Sequence, residues 1–252
     1  MTGFSVFLRK ELREQWRSYK LLVVGMIFLF FGLLSPLTAK YLPEILKSAA
    51  GSIQIIVPPP TAADAVDQLI KNISQIGIFA AILVTMGVVA REKERGTAAL
   101  VLTKPVTRSA FLAAKFIGLL ATLAASITLA GIAAYGYTAI LFESLPVAGY
   151  AAGCALLLLA LLVYASFTFL GSTLVRSSLP AAGIGLAAFL LLAIAGVIPE
   201  VGSYTPGALY GTAHALALGR PVDDLWTPLL ANLGLIATAL LLAWLSFSRQ
   251  EL

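Results

Sequence analysis

Six strongly apolar stretches, each at least 19 residues long, contain no Asp, Glu, Lys or Arg. Because an α-helix rises about 1.5 Å per residue, roughly 20 residues cross the ~30 Å hydrocarbon core of a bilayer. Only helices and closed barrels can cross it, and the alternating pattern of barrel strands is absent from the sequence. The sequence therefore predicts an all-α membrane protein with spans at residues 21–37, 73–90, 112–138, 147–174, 179–198 and 226–247.

The composition favours one membrane domain over a soluble enzyme. Hydrophobic residues make up 60% of the 252 residues and charged residues 12%, about half of what a soluble domain carries. No charge-rich segment is long enough for a separate domain, so residues 1–252 are predicted to form a single transmembrane unit. The one cysteine, Cys154, lies in an apolar run without a His or Cys neighbour at ligand spacing, so we expect a packing role and no metal site.

The basic residues indicate the topology. With six spans and a cytoplasmic N-terminus, 13 of the 17 Lys and Arg residues fall inside and four fall outside. Five acidic residues fall inside and seven outside, so the inner surface has a net charge of +8 and the outer surface −3. The positive-inside rule therefore predicts that both termini are cytoplasmic. The basic surface would then face anionic lipid or a cytoplasmic partner.

A seventh charge-free stretch, residues 201–219, competes for a span. It begins with a turn-rich segment, Val201 to Gly207, and His214 interrupts the remainder. A span here would also move Arg249 to the outer side and weaken the charge bias. We therefore expect short outer re-entrant helices between spans five and six.

The N-terminal residues 1–20 are predicted to form an elbow helix in the plane of the membrane. One face carries apolar residues at three- and four-residue spacing, and charged residues occupy the other face, as in interfacial helices. The apolar face comprises Phe4, Phe7, Leu8, Leu12, Trp16 and Tyr19.

Trp residues near the ends of membrane helices are typical anchors at the membrane–water interface. The predicted anchors are Trp16 on the elbow helix and Trp226 and Trp244 near the ends of span six.

The outer loop 38–71 contains one clear helix start. Span one is expected to end near Pro36, and the three prolines at 58–60 impose an extended break. Thr61 with Asp64 three residues later forms the pattern of a helix N-terminus that leads into span two.

The segment 91–108, between spans two and three, is the most informative cytoplasmic piece. It begins with five alternating charges, Arg91 to Arg95, and Gly96 follows, which permits a tight turn or a close backbone approach. The apolar run from Ala98 to Leu102 needs a covering surface, supplied by the bundle or by a partner subunit.

This segment resembles the first cytoplasmic loop of ABC-2 type transporter permeases. Arg-Glu-Lys-Glu-Arg-Gly-Thr at 91–97, then Lys-Pro-Val-Thr-Arg at 104–108 and Lys115, are similar to the branch that contains the membrane subunit of the nitrous-oxide-reductase copper-maturation transporter. Thr107 stands where that family usually has Ser. The layout is similar as well, with an elbow helix, six spans, cytoplasmic termini and an outer re-entrant piece.

The resemblance implies a permease subunit in the plasma membrane of a prokaryote, dimeric with itself or with a related chain. A separate ATPase would bind ATP and Mg²⁺, and the permease itself would hold no cofactor and catalyse no reaction. The segment 91–108 would be the coupling loop, with transmission contacts at Glu92, Glu94, Arg95, Gly96 and Thr97. No phosphate-binding loop of the Gly-x4-Gly-Lys-Ser/Thr type occurs in the sequence. The charge-free spans favour export of amphiphilic or hydrophobic cargo, and import is not excluded.

An ATP-independent secondary carrier or a membrane scaffold is the alternative function. A secondary carrier usually has ionisable groups at mid-membrane, and their absence from the span interiors argues against proton or ion coupling. An intramembrane protease would need a Ser–His pair at one depth, but Ser172 is predicted at the inner end of span four and His214 in the outer region. Nucleic-acid binding is not expected, because the basic excess is explained by topology.

Overall fold

The computed structural model describes residues 2–17, 19–49, 58–97 and 107–250. Within these residues the fold is all-α and contains no strand, and six helices are long and apolar enough to cross a membrane. The predicted fold class and the number of spans are therefore confirmed. The apolar run Ala98–Leu102 lies outside the described residues.

Eleven α-helices, numbered here in chain order, make up the described structure. They are α1 (Thr2–Arg17), α2 (Lys20–Ala49), α3 (Ala62–Asn72), α4 (Ile78–Thr85), α5 (Ala90–Glu94), α6 (Arg108–Leu141), α7 (Val147–Leu174), α8 (Ser178–Ala195), α9 (Pro199–Gly202), α10 (Pro206–Ala217) and α11 (Trp226–Ser248). A π-helical turn, Ile73–Gly77, joins α3 to α4, and the turn 86–89 joins α4 to α5. Span two is thus the composite element Ala62–Glu94.

The first span is longer than predicted. The helix was expected to end near Pro36, but α2 continues through Pro36 and Pro43 to Ala49. Ser35, next to Pro36, donates its hydroxyl to Phe31 O at 2.6 Å and accepts a hydrogen bond from Asn72 of α3 at 2.8 Å. Polar side chains and neighbouring helices can thus accommodate proline within a membrane helix. At about 45 Å for 30 residues, α2 is longer than the hydrocarbon core is thick.

The predicted start of the next helix is confirmed. The Thr61 backbone N–H donates to the Asp64 carboxylate at 2.7 Å, and the Thr61 hydroxyl donates to the same oxygen at 2.8 Å. The Asp64 carboxylate thus supplies an acceptor to the backbone N–H at the start of the helix. Helix α3, which begins here, packs against α2.

Helix α7 is the centre of the bundle. It packs against α4, α6, α8, α10 and α11, and 67% of its most apolar window is buried within the chain. By contrast, α8 buries 11% and α11 buries 17% of the corresponding windows. These two helices therefore leave most of their apolar surface for lipid or for another chain.

The region between α8 and α11 forms two short helices, α9 and α10, of four and 12 residues. At 12 residues, α10 spans about 18 Å and is too short to cross a bilayer alone. It packs against α7 at two glycines, which let helix backbones approach closely. A Cβ added to Gly149 would overlap Leu216 O, and one added to Gly153 would lie 2.8 Å from Ala213 O. The re-entrant insertion of these helices remains a prediction.

Replacing Gly149 by Ala should therefore destabilise the protein. The new methyl group meets backbone, which cannot rotate away, so we expect a loss on the order of 1–3 kcal/mol. Gly211→Ala, at a helical site with open space around it, is the matched control and should be neutral or slightly stabilising. Thermal unfolding in detergent measures both. Equal melting temperatures for the two variants would contradict the close packing of α7 on α10.

Candidate functional site

Five helices meet at one end of the bundle, which we call the basic end: α1, α5, the start of α6, and the ends of α7 and α11. Three aromatic rings join three of these helices. The rings of Phe7 and Phe111 stack with centroids 5.5 Å apart, and those of Phe111 and Phe247 stack at 5.6 Å. All three side chains are buried. The first and last described helices thus end at the same side, as six crossings require.

A buried ion triad lies beside these rings. Lys115 Nζ is 3.1 Å from Glu11 Oε2 and 2.7 Å from Glu92 Oε1. The exposed fractions of the three side chains are 3%, 4% and 16%, respectively. The ammonium also lies 5.3 Å from the centroid of the Phe111 ring, in cation–π range. Lys115 therefore joins α1, α5 and α6 through one charge.

Lys10 extends this network towards solvent. Its Nζ lies 3.0 Å from Glu11 and 2.9 Å from Glu14. Partial burial alone would lower the pKa of Lys10, but the hydrogen bonds and charges of Glu14 and Glu11 have the larger effect, so the pKa lies above its usual range. Partial burial alone would raise the pKa of Glu14, but the hydrogen bond from Lys10 and the nearby positive charges have the larger effect, so the pKa lies below its usual value. Both groups are therefore charged at neutral pH.

The start of α5 is capped by a side chain from another helix. The turn 86–89 interrupts the helical hydrogen bonds, and Ser172 Oγ of α7 accepts hydrogen bonds from the N–H groups of Val89 (3.0 Å) and Ala90 (2.9 Å). Helix N-termini leave such N–H groups without an intrahelical partner. Ser172 therefore fixes the direction in which α5 leaves the bundle.

Two further cations close the basic end at helix C-termini. Lys93 Nζ donates to Thr173 O and to Gln250 Oε1, both at 2.8 Å. Arg108 Nη1 donates to the carbonyl oxygens of Phe247 (3.0 Å), Ser248 (2.7 Å) and Gln250 (2.9 Å). Cations at these positions satisfy the open carbonyls and the negative end of the helix dipole. Helices α5, α6, α7 and α11 thereby form one connected group.

The structure separates the five predicted coupling residues into two sets. Glu92 points inward into the triad, and Thr97 Oγ1 donates to Glu92 O at 3.2 Å. Glu94, Arg95 and Gly96 are exposed. Gly96 has φ +67°, in the left-handed region that glycine adopts readily, and a Cβ there would meet no atom within 4 Å. Their contact with an ATPase stays a prediction.

Sequence reasoning missed the residues that hold α5 in place. Glu11 and Gln15 recur four residues apart after Phe7, and all three are buried. The exposed Leu12 and Trp16 instead form a separate apolar strip on α1. The position of Leu12 and Trp16 at the membrane interface stays a prediction, whereas Phe7 of the same predicted apolar face is buried against the bundle. The sequence contained one signal for this packing: the polar residues Glu11 and Gln15 follow Phe7 at the four-residue spacing of a single helix face.

The three predicted interface anchors are all exposed on the bundle surface. The exposed fractions are 76% for Trp16, 67% for Trp226 and 42% for Trp244. Surface exposure is compatible with a position at the headgroups, but the anchoring role itself remains a prediction.

The geometry does not support the protease alternative. Ser172 Oγ accepts two backbone hydrogen bonds at the basic end. His214 lies on α10, where its Nε2 is 3.3 Å from Asp67 Oδ1. Helix α10 packs on α7 near Gly149, 23 residues before Ser172, which corresponds to roughly 35 Å along the helix. The described residues contain no group of three His, Cys, Asp or Glu side chains that could hold a metal ion.

A family model described as "ABC-2 family transporter protein" matches residues 6–252, nearly the whole chain. The chain belongs to the ABC-2 transporter family. It is also 28% identical over 263 residues to "Uncharacterized transmembrane protein YxlG" of Bacillus subtilis (strain 168), with 100% of this chain and 99% of that protein covered. The resemblance drawn from the 91–108 segment is thereby confirmed at the level of the family.

Membership of the ABC-2 family identifies the chain as the membrane component of a transporter. Its six apolar helices make it a multi-pass membrane protein. Permeases of this family typically lie in the membrane and pair with an ATPase subunit.

Replacing Lys115 by Met should strongly destabilise the basic end. Glu92 would then lose its counter-ion and Glu11 would keep only the partly exposed Lys10, so we expect a loss of about 3 kcal/mol, the lower end for a broken buried pair. The triple variant Lys115→Met/Glu11→Leu/Glu92→Gln removes all three charges and should recover most of the stability, since neutral replacements of buried ion groups are often tolerated. Thermal unfolding in detergent compares both variants with the wild type. A Lys115→Met protein as stable as the wild type would show that the triad is not held in a dry interior.

Proposed function

We propose that this chain is the permease subunit of an ATP-driven exporter, moved by a separate cytoplasmic ATPase that binds the 91–108 loop. The ATPase would supply the ATP and Mg²⁺ sites. Amphiphilic or hydrophobic molecules are the proposed cargo, and the basic end is the proposed cytoplasmic side. The assembly would contain two permease chains, either identical or related.

The observation that supports this function best is the attachment of α5 to the rest of the bundle. The helix begins on Ser172 of α7, is joined by Glu92 to α1 and α6, and is joined by Lys93 to the ends of α7 and α11. A displacement of α5 by a partner would therefore act on four other helices together. This is the mechanical connection that a coupling element needs.

The outward side of the same segment suits a polar partner. Glu94, Arg95 and Gly96 are exposed immediately after the last residue that contacts the bundle, so opposite charges stand next to each other on a free surface. Alternating charges can pair with complementary charges across an interface and fix its register. The fixed inner face and the free outer face together favour coupling over simple anchoring in headgroups.

The polarity of the interior supports the proposed cargo class. The buried charged side chains of the described residues are Glu11 and Lys115, both at the basic end. Elsewhere the buried polar groups are neutral, among them Ser126, Thr168 and Asn232. The lack of a buried charge at mid-membrane in the described residues disfavours ion or proton coupling and suits an external energy source.

A second permease chain has available surface on this bundle. Helix α8 exposes large apolar side chains along its length, including Leu179, Leu191 and Ile194 at 65–79% exposure. A dimer would bury part of this surface, and lipid would cover the remainder. Either a homodimer or a heterodimer could bury this apolar surface.

Co-purification with an ATPase tests the proposed function directly. We expect an ATPase with a phosphate-binding loop to co-purify with this chain in mild detergent at near one-to-one stoichiometry. The chain alone should hydrolyse no ATP, and the complex in liposomes should move an amphiphilic fluorescent probe only with ATP. A chain that binds no ATPase after co-expression would contradict the proposal. Transport of a small hydrophilic ion as the sole cargo would refute the cargo class.

Gly96→Val should reduce coupling without preventing insertion. Valine is strained at φ +67°, so the exposed turn must change conformation, at a cost of about 1–2 kcal/mol. Gly96→Asn is the matched control, since asparagine tolerates left-handed conformations and the site has space for it. We expect ATPase stimulation to fall in the Val variant and to stay near wild type in the Asn variant, at equal membrane levels. Unchanged stimulation in both variants would remove Gly96 from the coupling site.

A further inference from the structure

A surface groove runs between α2 and α4 and opens towards α5. Its volume is about 280 Å³, and its walls are mostly aliphatic. It lies on the outside of the bundle, and the two helices that form it are membrane spans. An acyl chain is the kind of ligand that fits such walls in a bilayer. The aliphatic lining residues are Val23, Val24, Ile27, Ala80, Leu83 and Val84.

Two cations and a tyrosine stand at the end of this groove: Lys20, Arg91 and Tyr19. Among the described residues, neither Lys20 nor Arg91 has a carboxylate within ion-pair distance. The acidic groups that act on Lys20 are Glu14 and Glu11, and both are engaged by other lysines of the basic end. The groove mouth therefore holds uncompensated positive charge, which an anion would neutralise.

The Arg91 side chain is positioned at this mouth by two neighbours. Its Nε donates to Ser178 Oγ of α8 at 3.3 Å. A Cβ added to Gly87 would lie 2.7 Å from the same Nε. The Arg91 side chain therefore fills space that is open only because residue 87 has no side chain. On the other side, Tyr19 has φ +58°, a conformation that tyrosine rarely adopts, and this residue turns the chain between α1 and α2. Tyr19 also lines the groove.

We propose that this groove binds one anionic phospholipid, with its phosphate between Lys20 and Arg91 and an acyl chain along α2 and α4. Guanidinium and ammonium groups are the usual protein partners of phosphate, and tyrosine is enriched at headgroup depth. The positive end of the dipole of α2 adds to the attraction, since Lys20 is its first residue. The lipid would reduce the repulsion between Lys20 and Arg91 and hold α5 beside the start of α2. This site does not rest on the proposed transport function.

Native mass spectrometry of the purified full chain tests the site with defined lipids. The probes are phosphatidylglycerol and phosphatidylcholine with identical acyl chains. We expect one phosphatidylglycerol to stay bound and phosphatidylcholine to dissociate. Equal retention of both lipids by the wild-type chain would overturn the proposal, and this comparison needs no variant.

The variant Lys20→Gln/Arg91→Gln should lower the affinity for phosphatidylglycerol roughly thirtyfold, given the typical contribution of a basic residue near anionic lipid. The matched control, Arg9→Gln/Arg13→Gln, removes the same charge from exposed positions of α1 and should leave the affinity unchanged. Conservative replacement, Lys20→Arg, should retain binding. An equal loss in the control would show general attraction to a basic surface and would overturn a defined site.

Gly87→Ala provides an independent test that keeps every charge. The added methyl group would displace the Arg91 side chain from the groove mouth, so the preference for phosphatidylglycerol should fall roughly fivefold, as for the loss of one cation. Circular dichroism and gel filtration check that the helices and the assembly state are unchanged. An unaltered lipid preference in this variant would overturn the role of Arg91. Complete displacement of the lipid by inorganic phosphate would identify a free-anion site and overturn the lipid assignment.

Discussion

Lys115 is the charge around which the basic end is organised. A buried ammonium is tolerated only when its partners satisfy it, and here those partners come from an N-terminal helix and from the segment after span two. Glu92 has this lysine as its counter-ion, and Glu11 shares it with Lys10. The inward direction of Glu92 and the connection of α1 to α5 therefore depend on Lys115, which lies beside the stacked Phe7, Phe111 and Phe247 rings.

The central position of α7 explains why the attachment of α5 matters for the whole bundle. Near one end, Gly149 and Gly153 bring α10 into backbone contact, and near the other, Ser172 and Thr173 receive hydrogen bonds from α5. Between them, the helix contacts most of the other spans. Movement of the 91–97 segment would thus be applied to the most buried helix of the protein, and the poorly buried α8 and α11 would follow it through the lipid.

The number and order of the apolar helices could be predicted from the sequence, because bilayer thickness and the cost of charge in lipid impose a long, simple pattern. The end of α2 could not, since the local sequence at Pro36 favours a helix end, whereas α2 continues along α3 and α6, and such long-range packing has no local pattern. The 91–108 motif indicated the family, but it did not reveal that Glu92 points inward. That outcome depends on Glu11 and Lys115, 104 residues apart in sequence, and no local pattern relates them.

The order in which the chain is synthesised has a consequence for the basic end. Arg108 and Lys93 bind the carbonyl and side-chain oxygens of residues 247–250, which are synthesised long after residues 93 and 108. Until α11 has been inserted, Arg108 lacks these carbonyl acceptors, Lys93 can reach Thr173 but not Gln250, and Phe111 can stack on Phe7 but not on Phe247. A chain truncated before α11 would thus hold its 91–97 segment with fewer contacts than a chain that includes this helix. The contacts between α5 and the end of α11 would therefore form late in biosynthesis, and the proposed coupling surface would reach the arrangement described here only after α11 is in place.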